Sequence, residues 1–370
     1  MTLSVAVALA VGLSAQAGSA QPGNLGKLLP APRELYTIAW KRAFVEPTSM
    51  EWRPAETGGV AVDAGTGVAV FGTRDGWLHA VRRDRSLAWE YKANAGFAGP
   101  PAIVGGTVYV GARDGRLYAL SLETGKLVWS YDSNEELGTR PVVATGVVYV
   151  ASLQDTVFAV DAATGAWKWH HHREGRSGFS IRGAADVVVG PGAVYGGYSD
   201  GAVVALDPAT GRPLWERIVA PPGEQVDVDG LALADGRLYA AAYSGVVVAL
   251  DPKSGVTLWT TRLAGAHTLA VSKGLVFVVS PEAVTALTAA DGGKLWESRM
   301  DAASAGAPVV IGKWLVVPAA LEGLRWIEIA SGRTYRVLDA GDGVSGPPAA
   351  VGARVYVLSN GGSLVALDLG

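Results

Sequence analysis

The densest chemistry in this chain is a run of three imidazoles, His170, His171 and His172. Neutral imidazole is a common metal ligand, but a zinc ion wants four donors in a tetrahedron. Three adjacent histidines rarely converge on one ion unaided, and no carboxylate–histidine spacing supports them here. They read as a solvated loop, and no metal is expected. His79 and His267 stand apart from one another and read as structural. The second candidate is the pair Asp227 and Asp229. Residues two apart in extended backbone point to one side. Such carboxylates could serve as acid and base on a glycosidic bond, or present a doubly negative edge to a basic partner. No other motif supports catalysis, so partner contact is the reading taken. Asp75, Asp114 and Asp200 each precede a glycine or lie beside one and read as turn chemistry.

Composition removes several classes of function. The 370 residues include no cysteine, which excludes disulfides, thiolate metal sites and a cysteine nucleophile. The net charge of −3 supplies no basic field for nucleic acid or an anionic membrane surface. The chain has no GxSxG elbow, P-loop, HExxH helix or dinucleotide fingerprint. No catalytic, cofactor-binding or metal-binding residue is assigned, and an enzyme is not expected.

What must position these side chains is a repeat. Its cleanest copy runs from Pro101 to Ser130. Two alternating apolar runs, Thr107–Val110 and Arg116–Leu120, flank Asp114-Gly115, a strong hairpin signal because both turn residues tolerate positive φ. A second turn, Glu123-Thr124-Gly125, leads to a short strand, Lys126–Ser130, that carries Trp129. With Pro101–Val104 this makes four antiparallel strands, one blade of a propeller.

Trp89, Trp129, Trp169, Trp215, Trp259 and Trp296 each close a copy, and Tyr335 takes that place in the next. Copies six and seven are the most eroded. The last copy, Pro347–Asp368, supplies three strands and no closing Trp. The missing strand is Glu34–Trp40, at the other end of the chain, with Trp40 as its closer. The fold expected is all-β: an eight-bladed β-propeller of four-stranded antiparallel blades, the last closed by the N-terminal strand. Each Trp would form a rigid plate between blades, burying roughly 150–250 Å².

Three domain segments follow. Residues 1–20 read as a secretory signal, with a short apolar run and small-residue cleavage patterns and no charge before Lys27. Residues 21–33 read as a linker and 34–370 as the propeller. Leu13-Ser14-Ala15-Gln16 has the form of a lipoprotein signal with Gln16 where the lipid-bearing cysteine would stand. Two inter-blade connections are outsized. Trp129 to Trp169 spans 40 residues, whereas Trp169 to Trp215 spans 46 and Trp215 to Trp259 spans 44. Insertions on a repeat scaffold often collect on the binding face.

The unit VYVGARDGRLYALSLETGKLVWS resembles the repeat of the pyrroloquinoline-quinone-type β-propeller family. One branch of that family, the quinoprotein dehydrogenases, holds the quinone over the ring axis against an adjacent cysteine pair, which this chain lacks. The other branch is the cofactor-free propeller subunit of the outer-membrane β-barrel assembly (BAM) machinery, and the resemblance to it covers nearly all of residues 34–370. That branch uses a hydrophobic-Ser-hydrophobic-Arg-Gly segment and an Asp-Val-Asp segment to contact BamA. Phe179-Ser180-Ile181-Arg182-Gly183 and Asp227-Val228-Asp229 match them. The resemblance implies Phe179, Ile181, Arg182, Asp227 and Asp229 as partner-binding residues and no cofactor. It implies the periplasmic domains of a BamA-like protein as partner, with unfolded outer-membrane precursors as further clients. It places the protein in the periplasm, peripheral to the inner face of the outer membrane, and implies a non-enzymatic scaffold. The alternative is a periplasmic quinoprotein or a sugar-binding propeller.

Overall fold

The structure, a computed structural model, describes residues 35–45, 56–174, 185–219, 227–300 and 306–370. Eight separate four-stranded antiparallel sheets stand around an axis as an eight-bladed propeller. Blade 1 is built of Val60–Val62, Ala69–Gly72, Trp77–Val81 and Leu87–Lys92, from the inner strand outward. Blades 2 to 7 repeat that order. Blade 8 takes Ala349–Val351, Arg354–Leu358 and Ser363–Leu369 from the C-terminal end, and Tyr36–Ala43 pairs antiparallel with the last of these as its outer strand. That strand begins two residues later than Glu34 and runs three past Trp40. The proposed signal and linker lie outside the described residues.

There is no single central core. Eight apolar clusters each fill one blade–blade interface, and blade 8 packs on blade 1 through Tyr356, Leu358, Leu364 and Ala366 against Val60, Ala69, Phe71 and Val81. A sheet that is apolar on both faces must be covered on both, and a closed ring of sheets does this while leaving only short edges.

The repeated tryptophans lock each blade to the next by two contacts. Each indole N–H donates to a backbone carbonyl in the outer turn of the following blade. Trp89 reaches Leu122 at 2.7 Å, Trp129 reaches Ala162 at 3.1 Å, Trp169 reaches Pro208 at 2.9 Å and Trp215 reaches Pro252 at 2.9 Å. Trp259 reaches Ala289 at 3.1 Å, Trp296 reaches Ile329 at 2.8 Å, and Trp40 closes the ring onto Arg83 at 3.3 Å. The ring of the same Trp also lies on a glycine of that turn. A Cβ on Gly165 would stand 2.6 Å from the Trp129 ring, and Gly125, Gly211, Gly255, Gly292 and Gly332 repeat the arrangement. A burying aromatic with a polar tip thus gains both area and a partner for its N–H.

A β-bulge aims each of these rings. In blade 2, Leu120 pairs with Leu127 and Ala119 with Trp129, so Val128 is the extra residue and is turned outward, 55% exposed. The same register corrects the expectation for blade 7. There Ile327 pairs with Thr334 and Trp326 with Arg336, so Arg336 holds the tryptophan position. Tyr335 is the bulged residue and is 56% exposed. The physical reason is the split of blade 8. Its outer strand comes from the other end of the chain, so it has no outer turn to receive an indole. Arg336 instead sits 5.3 Å over the Tyr36 ring, and buried Trp326 packs on that ring from blade 7.

Candidate docking face

In each blade the connection from the outer strand to the next inner strand runs over one face of the ring, together with the turn between the two middle strands. Both outsized connections are of this kind, so their described ends meet that face. The first leaves the outer strand of blade 3, Trp167–His172, and returns at Ala185 before Val188–Gly190. The second leaves Pro213–Ile218 and returns at Asp227 before Val228–Ala234. Phe179, Ile181 and Arg182 lie outside the described residues, but the roots of their connection do not.

Those roots are tied together by one turn, Tyr198–Gly201, in blade 4. Arg173, at the start of the first connection, pairs with Asp200 at 2.6 Å and Glu216 at 2.8 Å, and lies over the Tyr198 ring at 5.6 Å. The Arg173 N–H donates to the Asp155 carbonyl at 3.0 Å, and the Ser199 N–H donates to the Asp155 carboxylate at 2.8 Å. The second connection is held at both ends by the same turn. The Val219 N–H donates to the Gly201 carbonyl at 2.9 Å and the Val228 N–H to the Tyr198 carbonyl at 3.2 Å. Burial pushes the Tyr198 hydroxyl well above the usual tyrosine range, with Arg173 pulling the other way. Hydrogen bonds and charge from Glu216 and Asp200 outweigh burial at Arg173 and hold it firmly protonated.

The histidine run belongs to this root and is a strand, not a loop. His170, His171 and His172 pair with Phe158, Val157 and Thr156. Neighbours on a strand face opposite ways, so the imidazoles diverge. His172 Nδ1 meets the Thr156 hydroxyl at 2.9 Å, and His171 Nδ1 meets the Tyr198 hydroxyl at 2.9 Å. Burial, with help from Arg173, holds His171 below the usual histidine range. No group of three or more potential metal ligands occurs among the described residues.

Asp227 is 3% exposed, and its carbonyl accepts the Tyr243 N–H at 2.9 Å. Asp229 is the bulged residue between Val228 and Gly230, half-buried, with both carboxylate oxygens sealed from solvent. The bulge takes Asp229 out of the simple alternation, so the two acids do not form an open edge. Asp229 instead lines the mouth of the axial channel, with Asp186, His267, Thr57, Gly138 and Ser345. That cavity, of about 320 Å³, opens at the ends of the same inter-blade connections. Asp186 accepts the Arg140 backbone N–H at 2.9 Å, and desolvation raises its carboxyl above the usual range against the pull of Arg140. Neither Asp186 nor the Arg173–Asp200–Glu216 network stood out in the sequence. The available signal was the Tyr198-Ser-Asp-Gly201 turn, lying in the blade between the two insertions.

Comparison with known proteins adds the family. A family model described as outer membrane protein assembly factor BamB matches residues 37–137, 74–283 and 281–370. The chain belongs to the BamB family. A BamB of Xanthomonas campestris pv. campestris is 32% identical over 209 residues, which is 54% of this chain and 51% of that protein. The match therefore spans about half the length of that curated relative. Among solved structures, BamB from Moraxella catarrhalis superposes with a TM-score of 0.78 at 24% identity, covering 90% of this chain and 100% of that one. A quinohemoprotein alcohol dehydrogenase from Comamonas testosteroni gives a TM-score of 0.74 at 17% identity, covering 90% and 76%. Identities this low speak for the propeller fold alone.

The dehydrogenase likeness raises the question of a quinone at the axis, and the described lining of the channel mouth offers such a ligand no cationic partner. The quinone is a tricarboxylate. The channel lining carries the acidic residues Asp186 and Asp229, and no lysine or arginine is among the described lining residues. Bringing like charges together in a confined site is costly.

Proposed function

We propose that this BamB-family chain is a non-enzymatic periplasmic scaffold of the outer-membrane β-barrel assembly machinery. It docks on the periplasmic domains of a BamA-like protein and assists insertion of outer-membrane precursors. The observation that carries this reading is that the roots of both long connections meet at one face, around the Tyr198–Gly201 turn. A rigid ring that presents two adjacent loops from braced roots is pre-organised for a partner, which lowers the ordering cost of association. Phe179 and Ile181 form the apolar centre of the contact, and Arg182 offers a planar donor fork to a carboxylate or backbone carbonyls. Asp227 and the carboxylate of Asp229 are more buried than a rim contact requires. In this reading they act as an acidic floor that supports the contact, with Asp229 facing the channel. The matching family model and the Xanthomonas relative, both BamB by description, support the assignment to the assembly machinery.

The test is binding of the mature chain to purified BamA periplasmic domains. Arg182→Glu weakens it about tenfold or more, equivalent to about 1.4 kcal/mol, and leaves the thermal unfolding unchanged. Equal affinity of the variant and the parent rejects this docking face.

A further inference from the structure

The ring is closed by a non-covalent seam, and one buried imidazole sits inside it. His79, on the third strand of blade 1, is 3% exposed. Its ring is held between two phenylalanines, with centroids 4.8 Å from Phe44 and 5.2 Å from Phe71. Phe71 belongs to blade 1. Phe44 directly follows the closing strand Tyr36–Ala43, and its N–H donates to the Gly362 carbonyl of blade 8 at 2.9 Å. The imidazole therefore bridges blade 1 to the end of the strand that completes blade 8.

The two ring nitrogens face different surroundings. Nδ1 lies 2.8 Å from Glu90 Oε1. Nε2 is sealed from solvent and has no hydrogen-bond partner among the described residues. With Nδ1–H donating to Glu90, Nε2 is a bare acceptor against aromatic surface. A second proton would place a buried N–H and a positive charge where no acceptor waits, which is unfavourable. The charged groups around the ring come from three elements. Glu90 on the outer strand and Asp75 in the turn of blade 1 favour the cation, whereas Arg42 on the closing strand opposes it. Arg42 also lies 4.8 Å over the Phe44 ring, and Lys92 lies beyond Trp77, 5.0 Å from that ring. Burial dominates and holds His79 below the ordinary histidine range.

We propose that His79 is a proton-sensitive pin of the ring closure: charging the imidazole unseats Phe44 and lets the N-terminal strand lift from blade 8. The inference is independent of the docking face. The sign follows from the neutral closed form. Closure is strongest above the free-imidazole pKa of about 6.5 and weakens as pH falls below it.

The chain has no cysteine, so one can be introduced as a reporter. Ala366, fully buried and paired with Trp40 of the closing strand, becomes Ala366→Cys. Ile38→Cys, at a site 56% exposed, corrects for the pH dependence of the thiol itself. Between about pH 7.5 and pH 5.5, corrected labelling of the buried thiol rises by up to about tenfold, the ceiling for one imidazole that charges only in the open form. With His79→Phe, which fills the same aromatic slot without titrating, the rise is below about twofold. His79→Gln supplies a second non-titrating background. An NMR titration of the unmodified chain, with the signal assigned by its loss in His79→Phe, shows the His79 imidazole staying neutral below the ordinary range. An ordinary His79 titration, or equal acid response in the non-titrating variants, overturns the proposal.

Discussion

The contact between each tryptophan and the next blade's glycine makes a quantitative prediction that separates it from ordinary burial. Gly165 has φ of 72°, and a Cβ there would come 2.6 Å from Trp129 Cε3. Gly165→Ala then carries two costs. Left-handed backbone on a residue with a side chain costs about 1–2 kcal/mol, and overpacking against the indole costs about 1–3 kcal/mol. The total is about 2–5 kcal/mol. Trp129→Ala costs about 3–5 kcal/mol through lost burial and the cavity left behind. In the double variant the indole is gone, so only the backbone cost of the alanine remains. The two changes should therefore couple by about 1–3 kcal/mol, the double variant being more stable than the sum predicts. Reversible urea unfolding of the parent, both single variants and the double variant at one pH measures the cycle. Additivity within about 0.5 kcal/mol refutes the claim that the glycine exists to seat the ring.

Other expectations test separate parts of the molecule. Arg336→Trp does not stabilise, because blade 8 has no outer turn to accept the indole N–H; a clear rise in melting temperature contradicts this. Arg85 occupies the glycine position of blade 1 with φ of 68°, so Arg85→Gly relieves left-handed strain and is neutral or stabilising by up to about 1 kcal/mol. Hydroxyl and backbone hydrogen bonds from Thr164, Thr210 and Ser254 hold Asp161, Asp207 and Asp251 below the usual carboxylate range. Their contribution is complete above the ordinary value of about 3.9 and is lost as pH falls through the depressed values. The urea midpoint should drop across that acid window, and Asp251→Asn should flatten the drop. Arg173→Ala, which removes the ion pairs at the root of the first connection, should raise protease cutting between residues 174 and 185 while the propeller core stays intact.

The repeat was legible in the sequence because its signals are local. Asp-Gly turns, alternating apolar runs and a periodic Trp need no knowledge of distant contacts, and the split of blade 8 followed from counting strands at each end. What sequence could not carry was register at the bulges. A bulge slides one residue past its partner, so position relative to a turn glycine, not aromatic character, marks the interface residue. Trp129 and Trp296 each stand four residues after their glycine, and four after Gly332 stands Arg336, not Tyr335. The bulge at Asp229 misled in the same way: two acids two apart should share a side, yet one is buried beside Tyr243 and the other faces the axis. The histidine run reads as loop because the closing Trp169 marks the end of the repeat in the linear pattern, whereas the ladder continues to His172. Each difference has one source: pairing across strands settles where a side chain points, and the linear pattern shows only that it alternates. The Arg173–Asp200–Glu216 network illustrates the same limit at longer range. Its members come from three separate strands or turns, so only the closed packing of blades 3 and 4 brings their charges together at the roots of the proposed docking loops.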